Sequence, residues 1–219
     1  MRTPKEIYAQ FRILPSLQLH QLRVAAVAKL ICDNYNDTVS TNDVLLECLF
    51  HDMGNIVKSD LRYFPGFVQP EGLEYWQKIK EEFLQKYGSE QHIANAAIGR
   101  EIGLPEHIID IMNKTGFSKI GSVVEAHSLE LKICQYADSR VGPHGVLSLD
   151  ARLEEGRERY VAGKKNKAYY DTDAGFEKLA AAAHELERQI FSALTIRPED
   201  INDMTVVPGI EKLSQYPVA

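Results

Sequence analysis

The sequence predicts a single all-α domain, a helical bundle over residues 1–219. Apolar residues recur every three or four positions through most of the chain, which is the spacing of a helix that buries one face. No stretch alternates between apolar and polar residues for long enough to predict a strand. With 219 residues and 44% hydrophobic content, the chain is long enough for one substantial core, and no linker divides it.

The first two helices are predicted on either side of the turn-rich stretch DNYNDTVSTND. The first begins near Ser16 and reads SLQLHQLRVAAVAKLICDNY, with the broad apolar stripe of a largely buried helix. Ser40, Thr41 or Asn42 is available as the N-cap of the second, DVLLECLFHD. Gly54 is expected to end that helix in a left-handed conformation.

The rest of the chain is predicted as an ordered loop followed by further helices. The loop is KSDLRYFPGFVQP, where two prolines and a glycine lie among aromatic residues. The predicted helices are EGLEYWQKIKEEFLQKYG, SEQHIANAAIGREIG with Ser89 as its cap, PEHIIDIMNK, GSVVEAHSLELKICQYADSRVG, SLDARLEEGRERYVAG and DAGFEKLAAAAHELERQIFSALT. A short turn at RPEDINDM and an extended tail are expected to end the sequence.

Composition and charge argue against several classes of protein. A net charge of −6 disfavours binding to nucleic-acid polymers and anionic membranes, both of which need a clustered positive field. No segment approaches the ~20 apolar residues that span a bilayer, and MRTPKEIYAQF lacks the apolar run of a signal peptide. Cys32, Cys48 and Cys134 are widely spaced within apolar helical patterns, which favours buried thiols over disulfides or a zinc cluster. A cytoplasmic location is therefore expected.

Polar residues at the end of an apolar helix suggest a metal site. His51 and Asp52 end the apolar run of LECLFHDMGN, just before Gly54. If the first two helices are antiparallel, His20 lies about 15 residues before their turn and His51 about 12 after it, or ~22 and ~18 Å along the helices. The two imidazoles then lie at nearly the same level. Together with one carboxylate, they need at least one more ligand to hold a divalent transition metal.

His127 and Asp138 are the candidates for that further ligand. They are 11 residues apart and share one face of the predicted long helix. That separation also spans ~16 Å, so they cannot both touch one ion. Asp138 is favoured because ICQYADSRVG repeats the pattern of LFHDMGN, in which an apolar run ends at a carboxylate just before a glycine-bearing segment.

These residues resemble the H…HD…D signature of the HD-domain superfamily, which comprises metal-dependent phosphohydrolases on an all-helical core. The resemblance rests on LHQLRVAAVAKLI, LFHDMGN and KICQYADSRV, covers residues 16–142, and places HDMGN close to the HDIG variant. It implies that His20, His51, Asp52 and Asp138 ligate a divalent metal, which is manganese, magnesium, iron, cobalt or nickel in such proteins. Asp52 would also orient the water that the metal activates. Residues 147–219 are expected to form a C-terminal helical extension packed on the HD-type core.

One sub-branch of the HD-domain superfamily, which includes the HD-type diadenosine tetraphosphate hydrolases, bears on how many metals are expected. Its members carry two further histidines that bind a second metal, and SEQHIANAAIGREIGLPEHIIDIMNKTG resembles that stretch. His92 matches the first histidine, but Asn113, Lys114 and Thr115 stand where the second is expected. A protonated lysine has no lone pair for a metal, so one metal per chain is favoured over two. His92 then becomes a candidate general acid or phosphate contact, and Lys114 a candidate phosphate contact.

Several other charged residues and histidines lie near the metal-bearing segments. The further candidates for substrate phosphate binding are Lys58, Arg62 and Arg140. The histidines left outside the predicted site are His107, His127, His144 and His184. Of these four, His144 is the closest in sequence to a predicted ligand.

The favoured function is hydrolysis of a nucleotide or another small phosphate ester by metal-activated water. A di-iron oxygenase of the HD type is an alternative, but it needs both metals, and Lys114 counts against the second. A non-catalytic, metal-bound sensor is a further alternative, opposed by the complete ligand set and the nearby cations. The missing Gly-Tyr-Pro motif disfavours a cyclic-dinucleotide phosphodiesterase of the HD-GYP kind. The expected partner is a small phosphorylated substrate, with neither a nucleic-acid polymer nor a membrane.

Overall fold

The computed structural model of the protein describes residues 1–35, 39–163 and 173–218. Within these ranges the chain forms helices joined by loops and short 3-10 turns, and its strand-like pairings are isolated bridges. The prediction of an all-α fold is confirmed. The helices are α1 (Pro4–Gln10), α2 (Pro15–Asp33), α3 (Thr41–Phe50), α4 (Leu73–Tyr87), α5 (Gln91–Ile102), α6 (Glu106–Lys114), α7 (Ile120–Glu125), α8 (Leu129–Asp138), α9 (Leu149–Gly163), α10 (Asp173–Phe191) and α11 (Asp203–Ser214).

Helix α2 lies at the centre of the fold and packs against α3, α8 and α11. It begins at Pro15, whose fixed φ suits the first position of a helix. His20, near the start of α2, lies beside His51 at the end of α3, with ring centroids 5.6 Å apart. The two helices are therefore antiparallel, as the sequence analysis assumed when it placed His20 and His51 at the same level. Within the turn that joins them, residues 36–38 lie outside the described residues.

The long helix predicted over residues 121–142 is two helices, α7 and α8, separated by a break. Ser128 caps α8, because its side chain accepts a hydrogen bond from the backbone N–H of Leu131. His127 therefore lies in the break, exposed to solvent, and does not share a helix with Asp138. The prediction of one continuous helix is wrong, because the Ser128 cap fixes the N-terminus of α8 and separates it from α7.

Most of the segment expected to be an extended tail is the helix α11, so that prediction is wrong for the residues up to Ser214. Asn202 caps α11, and its side chain accepts a hydrogen bond from the N–H of Met204 at 3.0 Å. Val206 and Leu213 are seven residues apart and bury one face of this helix, which packs on α2. Pro208 lies inside the helix and obscures its pattern, since proline ordinarily disfavours a helix interior.

Smaller features also differ from the sequence-based expectations. Helix α1 was not predicted; its cap is a reciprocal box in which Thr3 and Glu6 each accept a hydrogen bond from the other's backbone N–H. Helix α5 begins after Glu90 rather than at a Ser89 cap, and the side chain of Ser40 makes no capping hydrogen bond. In the part of the chain that the structure describes, no helix combines the length and apolarity needed to cross a membrane.

Gly54 fixes how α5 packs on the segment after α3. Its φ is −92°, so the expected left-handed conformation is wrong. A Cβ at this position would lie 2.6 Å from the Cβ of Ala94 and 2.9 Å from Oδ1 of Asn95. The Gly54 N–H instead donates a hydrogen bond of 2.6 Å to that Oδ1. Glycine is therefore needed for close approach, and this contact holds the start of α5 beside Asp52.

Candidate metal centre

Four side chains from α2, α8 and the end of α3 meet at one point. Nε2 of His20 lies 3.2 Å from Oδ1 of Asp138 and 3.8 Å from Oδ2 of Asp52. Nε2 of His51 lies 3.7 Å from the same oxygen of Asp138 and 3.8 Å from the same oxygen of Asp52. Each carboxylate therefore reaches both imidazoles. The structure brings Asp138, rather than the alternative candidate His127, to the two histidines.

These distances fit a shared metal ion. Two atoms that both bind one divalent ion at ~2.1 Å lie no more than ~4.2 Å apart. All four nitrogen–oxygen distances at the site are below that limit. Imidazole nitrogen and carboxylate oxygen are also the ligand types that suit first-row divalent ions. His20, His51 and Asp52 therefore fit the predicted metal, because their ligand atoms all lie within 4.8 Å of one another; Asp138 lies beside both imidazoles but is not part of that group.

His51 gives the strongest single indication of a missing ligand. It is 9% exposed, and its Nδ1 lies 2.9 Å from the carbonyl oxygen of Cys48. A carbonyl only accepts, so Nδ1 carries a proton and donates it, which fixes the orientation of the ring. Nε2 is then buried with no hydrogen-bond partner among the described residues, because the nearest carboxylate oxygens are 3.7 and 3.8 Å away. A buried nitrogen without a partner is costly, and a metal ion would satisfy it.

The electrostatics of the cluster favour a bound cation. Burial opposes the protonated form of His51, but the carboxylates of Asp52, Asp138 and Glu47 raise the pKa of its imidazole well above the usual value. Burial alone would raise the pKa of Asp138, whereas the close contact with His20 and the positive charges of His20 and His51 hold that pKa well below its usual range. Both shifts have one cause, which is the attraction between positively charged imidazole and negatively charged carboxylate. A divalent ion would take the place of the protons on the imidazoles.

Asp52 is held in place by three amide side chains that the sequence analysis missed, two on its carboxylate and one on its backbone N–H. Nε2 of Gln91 donates to Oδ1 at 3.3 Å, and Nδ2 of Asn55 donates to Oδ2. The backbone N–H of Asp52 donates to Oε1 of Gln21 at 3.2 Å. Asn55 could have been found from its place three residues after Asp52 in HDMGN. Gln91 comes from α5 and has no local signal, since it reaches Asp52 only through helix packing.

His92 lies in the first turn of α5, directly after Gln91. Burial lowers the pKa of its imidazole, and the positive charges of Lys119 and Lys58 lower it further, while Asp52 acts in the opposite direction. His92 is therefore mainly neutral at neutral pH. Of the other predicted site residues, Lys58 and Asp52 therefore act on the charge of His92 in opposite directions.

A cleft of about 400 Å³ lies beside the segment that follows the HD pair. Its charged lining consists of the cations Lys58, Arg62 and Lys80 with the anion Asp60. The guanidinium of Arg62 is largely exposed and contacts Asp60 at 3.2 Å. Lys58 and Arg62, the predicted phosphate contacts of this loop, therefore line one cleft. Its volume suits a small ligand.

The phosphate-binding prediction for Arg140 is wrong. Arg140 is 2% exposed, and its guanidinium donates hydrogen bonds to the carbonyl oxygens of Leu147, Pro198 and Ile201 and to the hydroxyl of Tyr136. These bonds tie the end of α8 to two later segments of the chain. A guanidinium enclosed in this way cannot reach a substrate phosphate.

Lys114 gains no structural support as a phosphate contact. It ends α6, is exposed, and pairs with Asp110 one turn earlier on the same helix. This arrangement is typical of a solvated helix surface. Within the described residues, no contact joins Lys114 to the four candidate ligands.

Two loops that leave the candidate ligands meet through aromatic side chains. The loop after Asp52 carries Phe64 and Phe67, which are stacked with centroids 4.7 Å apart. The loop after Asp138 carries His144, whose ring lies 5.6 Å from Phe67 and 6.1 Å from Phe64. His144 therefore belongs to an aromatic cluster between the loops and contacts none of the ligands among the described residues.

A second polar cluster is buried behind His51. It consists of Glu47, Cys48 and Cys134, all at 2% exposure or less. The cysteines are free thiols, as the sequence predicts. Oγ1 of Thr115 donates to Oε1 of Glu47 at 3.2 Å, and burial raises the pKa of the Glu47 carboxyl.

We expect the Glu47→Gln variant to be more stable than the parent at neutral pH. The folded protein holds the Glu47 proton more tightly than the unfolded chain does. The stability of the parent protein therefore falls as pH rises from about 4.5, the ordinary pKa of a glutamate, through the raised pKa of Glu47. Glutamine cannot ionise, and its side-chain oxygen still accepts from Thr115. Thermal unfolding with a chelator present should show equal midpoints near pH 4 and a higher midpoint for the variant at pH 7.5, by about 2–4 °C for each kcal/mol relieved. A lower midpoint for the variant at pH 7.5 would contradict this.

The fold and the site together define the class of this protein: an all-helical domain whose helices bring ligand atoms of two histidines and an aspartate, residue types that bind divalent metals, within 4.8 Å of one another. The family model of the HD domain matches residues 18–140, more than half of the chain, and the chain belongs to the HD-domain family. This confirms the resemblance on which the ligand assignment rests. HD domains bind divalent metals and are generally metal-dependent hydrolases. No curated protein and no solved structure matches the chain.

Proposed function

We propose that the protein is a metal-dependent phosphohydrolase that acts on a nucleotide or another small phosphate ester. One divalent ion of manganese, magnesium, iron, cobalt or nickel is held by His20, His51, Asp52 and Asp138. The observation that carries the proposal is the Nε2 atom of His51, which is buried without a partner between two carboxylates. Family membership supports the reaction class.

Each residue of the site has a role that follows from its surroundings. A bound divalent ion would supply hydroxide near neutral pH and polarise a phosphoryl oxygen. Asp52, whose carboxylate is fixed by Gln91 and Asn55, orients the attacking water. His92 is mainly neutral at neutral pH, so the general acid is its minor protonated fraction, whose lowered pKa makes it a stronger acid towards the leaving oxygen. Lys58 adds positive charge beside the phosphate.

A nucleotide is the favoured substrate because two kinds of surface lie on the loop after Asp52. Lys58 and Arg62 offer cations for phosphate, and Phe64 and Phe67 offer aromatic faces for a base. The cleft of about 400 Å³ suits a small molecule rather than a polymer.

The oxygenase alternative gains no support from the arrangement of charges. It requires two irons, and the ammonium group of Lys114, which stands where the sequence pattern expects the second-metal histidine, counts against a second iron. One metal per chain is therefore part of the proposal.

The proposal is tested by a screen of the purified protein. Nucleoside monophosphates, dinucleotides and p-nitrophenyl phosphate are each incubated with the protein loaded with one of the five metals. We expect phosphate release that stops when EDTA removes the metal and returns when the metal is restored, with about one ion per chain by elemental analysis. Stoichiometric metal without turnover on any substrate would instead indicate a sensor, and two irons per chain with an oxidised product would indicate an oxygenase.

A further inference from the structure

We propose that Oδ1 of Asn55 accepts a hydrogen bond from the water molecule that attacks the substrate phosphorus, and that this bond positions the water. The amide of Asn55 has two polar atoms, and the described residues provide a partner for only one of them. The inference rests on the proposed function for its reaction and adds a second residue, beside Asp52, that orients the reacting water. Its first test locates atoms and does not depend on turnover.

The unpartnered atom of the Asn55 amide is its oxygen. The nitrogen, Nδ2, donates a hydrogen bond to Oδ2 of Asp52. The oxygen, Oδ1, is buried and has no hydrogen-bond partner among the residues that the structure describes. The amide cannot be reversed, because a carboxylate only accepts hydrogen bonds and the oxygen of Asn55 would then face another acceptor. The amide therefore lacks a proton donor.

The backbone of Asn55 is fixed on both sides of this side chain. Its N–H donates to the carbonyl oxygen of Asp52 at 3.0 Å, and its own carbonyl oxygen accepts from Oγ of Ser59 at 2.9 Å. Asn55 begins the 3-10 turn Asn55–Val57, which packs against α4 and α5. A rotation of the amide would also break its bond to Asp52. The direction of Oδ1 is therefore set by the fold.

Oδ1 of Asn55 lies at the metal centre, because the nitrogen of the same amide is bonded to a candidate ligand. The oxygen and nitrogen of an amide are ~2.2 Å apart, so Oδ1 lies within about 5 Å of Oδ2 of Asp52. The same Oδ2 lies 3.8 Å from Nε2 of His51, which is also buried without a partner. Two unpartnered buried atoms therefore flank one carboxylate oxygen. A water molecule at this place would supply the proton that Oδ1 lacks.

An amide oxygen suits the proton that the attacking water keeps. The proposed reaction needs a water that has lost one proton and retains the other, which must point away from phosphorus so that a lone pair faces it. Oδ1 of Asn55 can accept a hydrogen bond from the retained proton, and it is too weak a base to remove that proton at neutral pH. The hydroxide oxygen then bonds to phosphorus, the ester P–O bond breaks, and the leaving oxygen takes a proton from the general acid. The retained proton stays on the new phosphate oxygen.

The first test is a crystal structure of the protein loaded with manganese. We expect a water molecule that contacts the ion and lies within about 3.2 Å of Oδ1 of Asn55. The inference is overturned if Oδ1 binds the ion itself or accepts from another part of the protein. It is also overturned if the water at Oδ1 does not touch the ion, because that water would be an ordinary structural one.

The second test compares variants on p-nitrophenyl phosphate at saturating metal. Asn55→Leu has neither donor nor acceptor, and its kcat should fall about tenfold with KM nearly unchanged, since the lost bond is to the attacking water rather than to the substrate. Asn55→Asp keeps an acceptor oxygen and should retain more of kcat than the leucine variant. The matched comparison is Gln91→Leu, which removes the other amide donor to the Asp52 carboxylate but keeps Asn55. It should need more metal for saturation and then lose less of kcat than Asn55→Leu.

A purely structural role for Asn55 predicts a different pattern. The inference is overturned if Gln91→Leu loses as much of kcat as Asn55→Leu at saturating metal, or if Asn55→Leu keeps the parental kcat. Circular dichroism checks folding, and if leucine prevents folding, Asn55→Ala decides the same comparison. A crystal structure with the expected water in a protein that hydrolyses no phosphate ester would keep the contact of Asn55 with that water and overturn the proposed function.

Discussion

The His51→Ala and Asp52→Asn variants are expected to lose bound metal and hydrolytic activity together, by more than about a hundredfold. Removing a residue that only orients a metal ligand already costs 10–100-fold, so removal of a ligand should cost at least as much. His51 is the sharper test because its Nδ1 is fixed by Cys48 and its Nε2 has no partner other than the proposed ion among the described residues. Metal content by elemental analysis and the rate of phosphate release are measured on the same preparations.

The control for these variants is His184→Ala. His184 is a half-exposed histidine of α10 whose Nε2 lies 3.2 Å from an oxygen of Asp150, so it tests the loss of an imidazole away from the metal centre. Circular dichroism checks that each variant remains helical. If His51→Ala retained one metal per chain and the parental rate, the metal site would have to be placed elsewhere. If it kept the metal but lost the rate, His51 would act on the substrate instead.

The proximity of the four candidate ligands is the feature of the site that the sequence predicts best. Because the rise of a helix is constant, counting residues from the turn places His20 and His51 at one level, and the structure brings their rings to 5.6 Å. Asp138 was selected because it ends an apolar run, and that argument depends only on the local sequence. The argument for Asp138 therefore does not depend on the helix that was assumed to carry both Asp138 and His127, which is broken at Ser128.

The cations around the site could not be assigned from the sequence. Lys114 stands where the sequence pattern expects a site residue, but in the structure it lies on a solvated face of α6 and pairs with Asp110. Arg140 lies two residues after a ligand, which made it a reasonable phosphate contact. The Arg140 side chain is instead oriented by hydrogen bonds to the carbonyl groups of Pro198 and Ile201, about sixty residues later in the chain. No local sequence pattern reveals these partners.

Arg140 is instead expected to be essential for the stability of the fold. The Arg140→Met variant keeps much of the side-chain length but leaves the carbonyl oxygens of Leu147, Pro198 and Ile201 without their donor. Breaking a buried, hydrogen-bonded charge typically costs about 3–5 kcal/mol, which corresponds to a fall of about 6–20 °C in Tm for a chain of this size. Thermal unfolding followed by circular dichroism measures the effect.

The control is Arg100→Met, which removes an exposed arginine that pairs with Glu106 and should change Tm little, because surface ion pairs contribute about 1 kcal/mol or less. The decisive comparison is KM at a temperature where Arg140→Met is still folded. A stability role leaves KM near the parental value, because the buried guanidinium never meets the substrate. A variant with parental Tm and a KM raised tenfold would restore Arg140 to the phosphate-binding site, and the end of α8 would then have to open in solution for its side chain to reach the substrate.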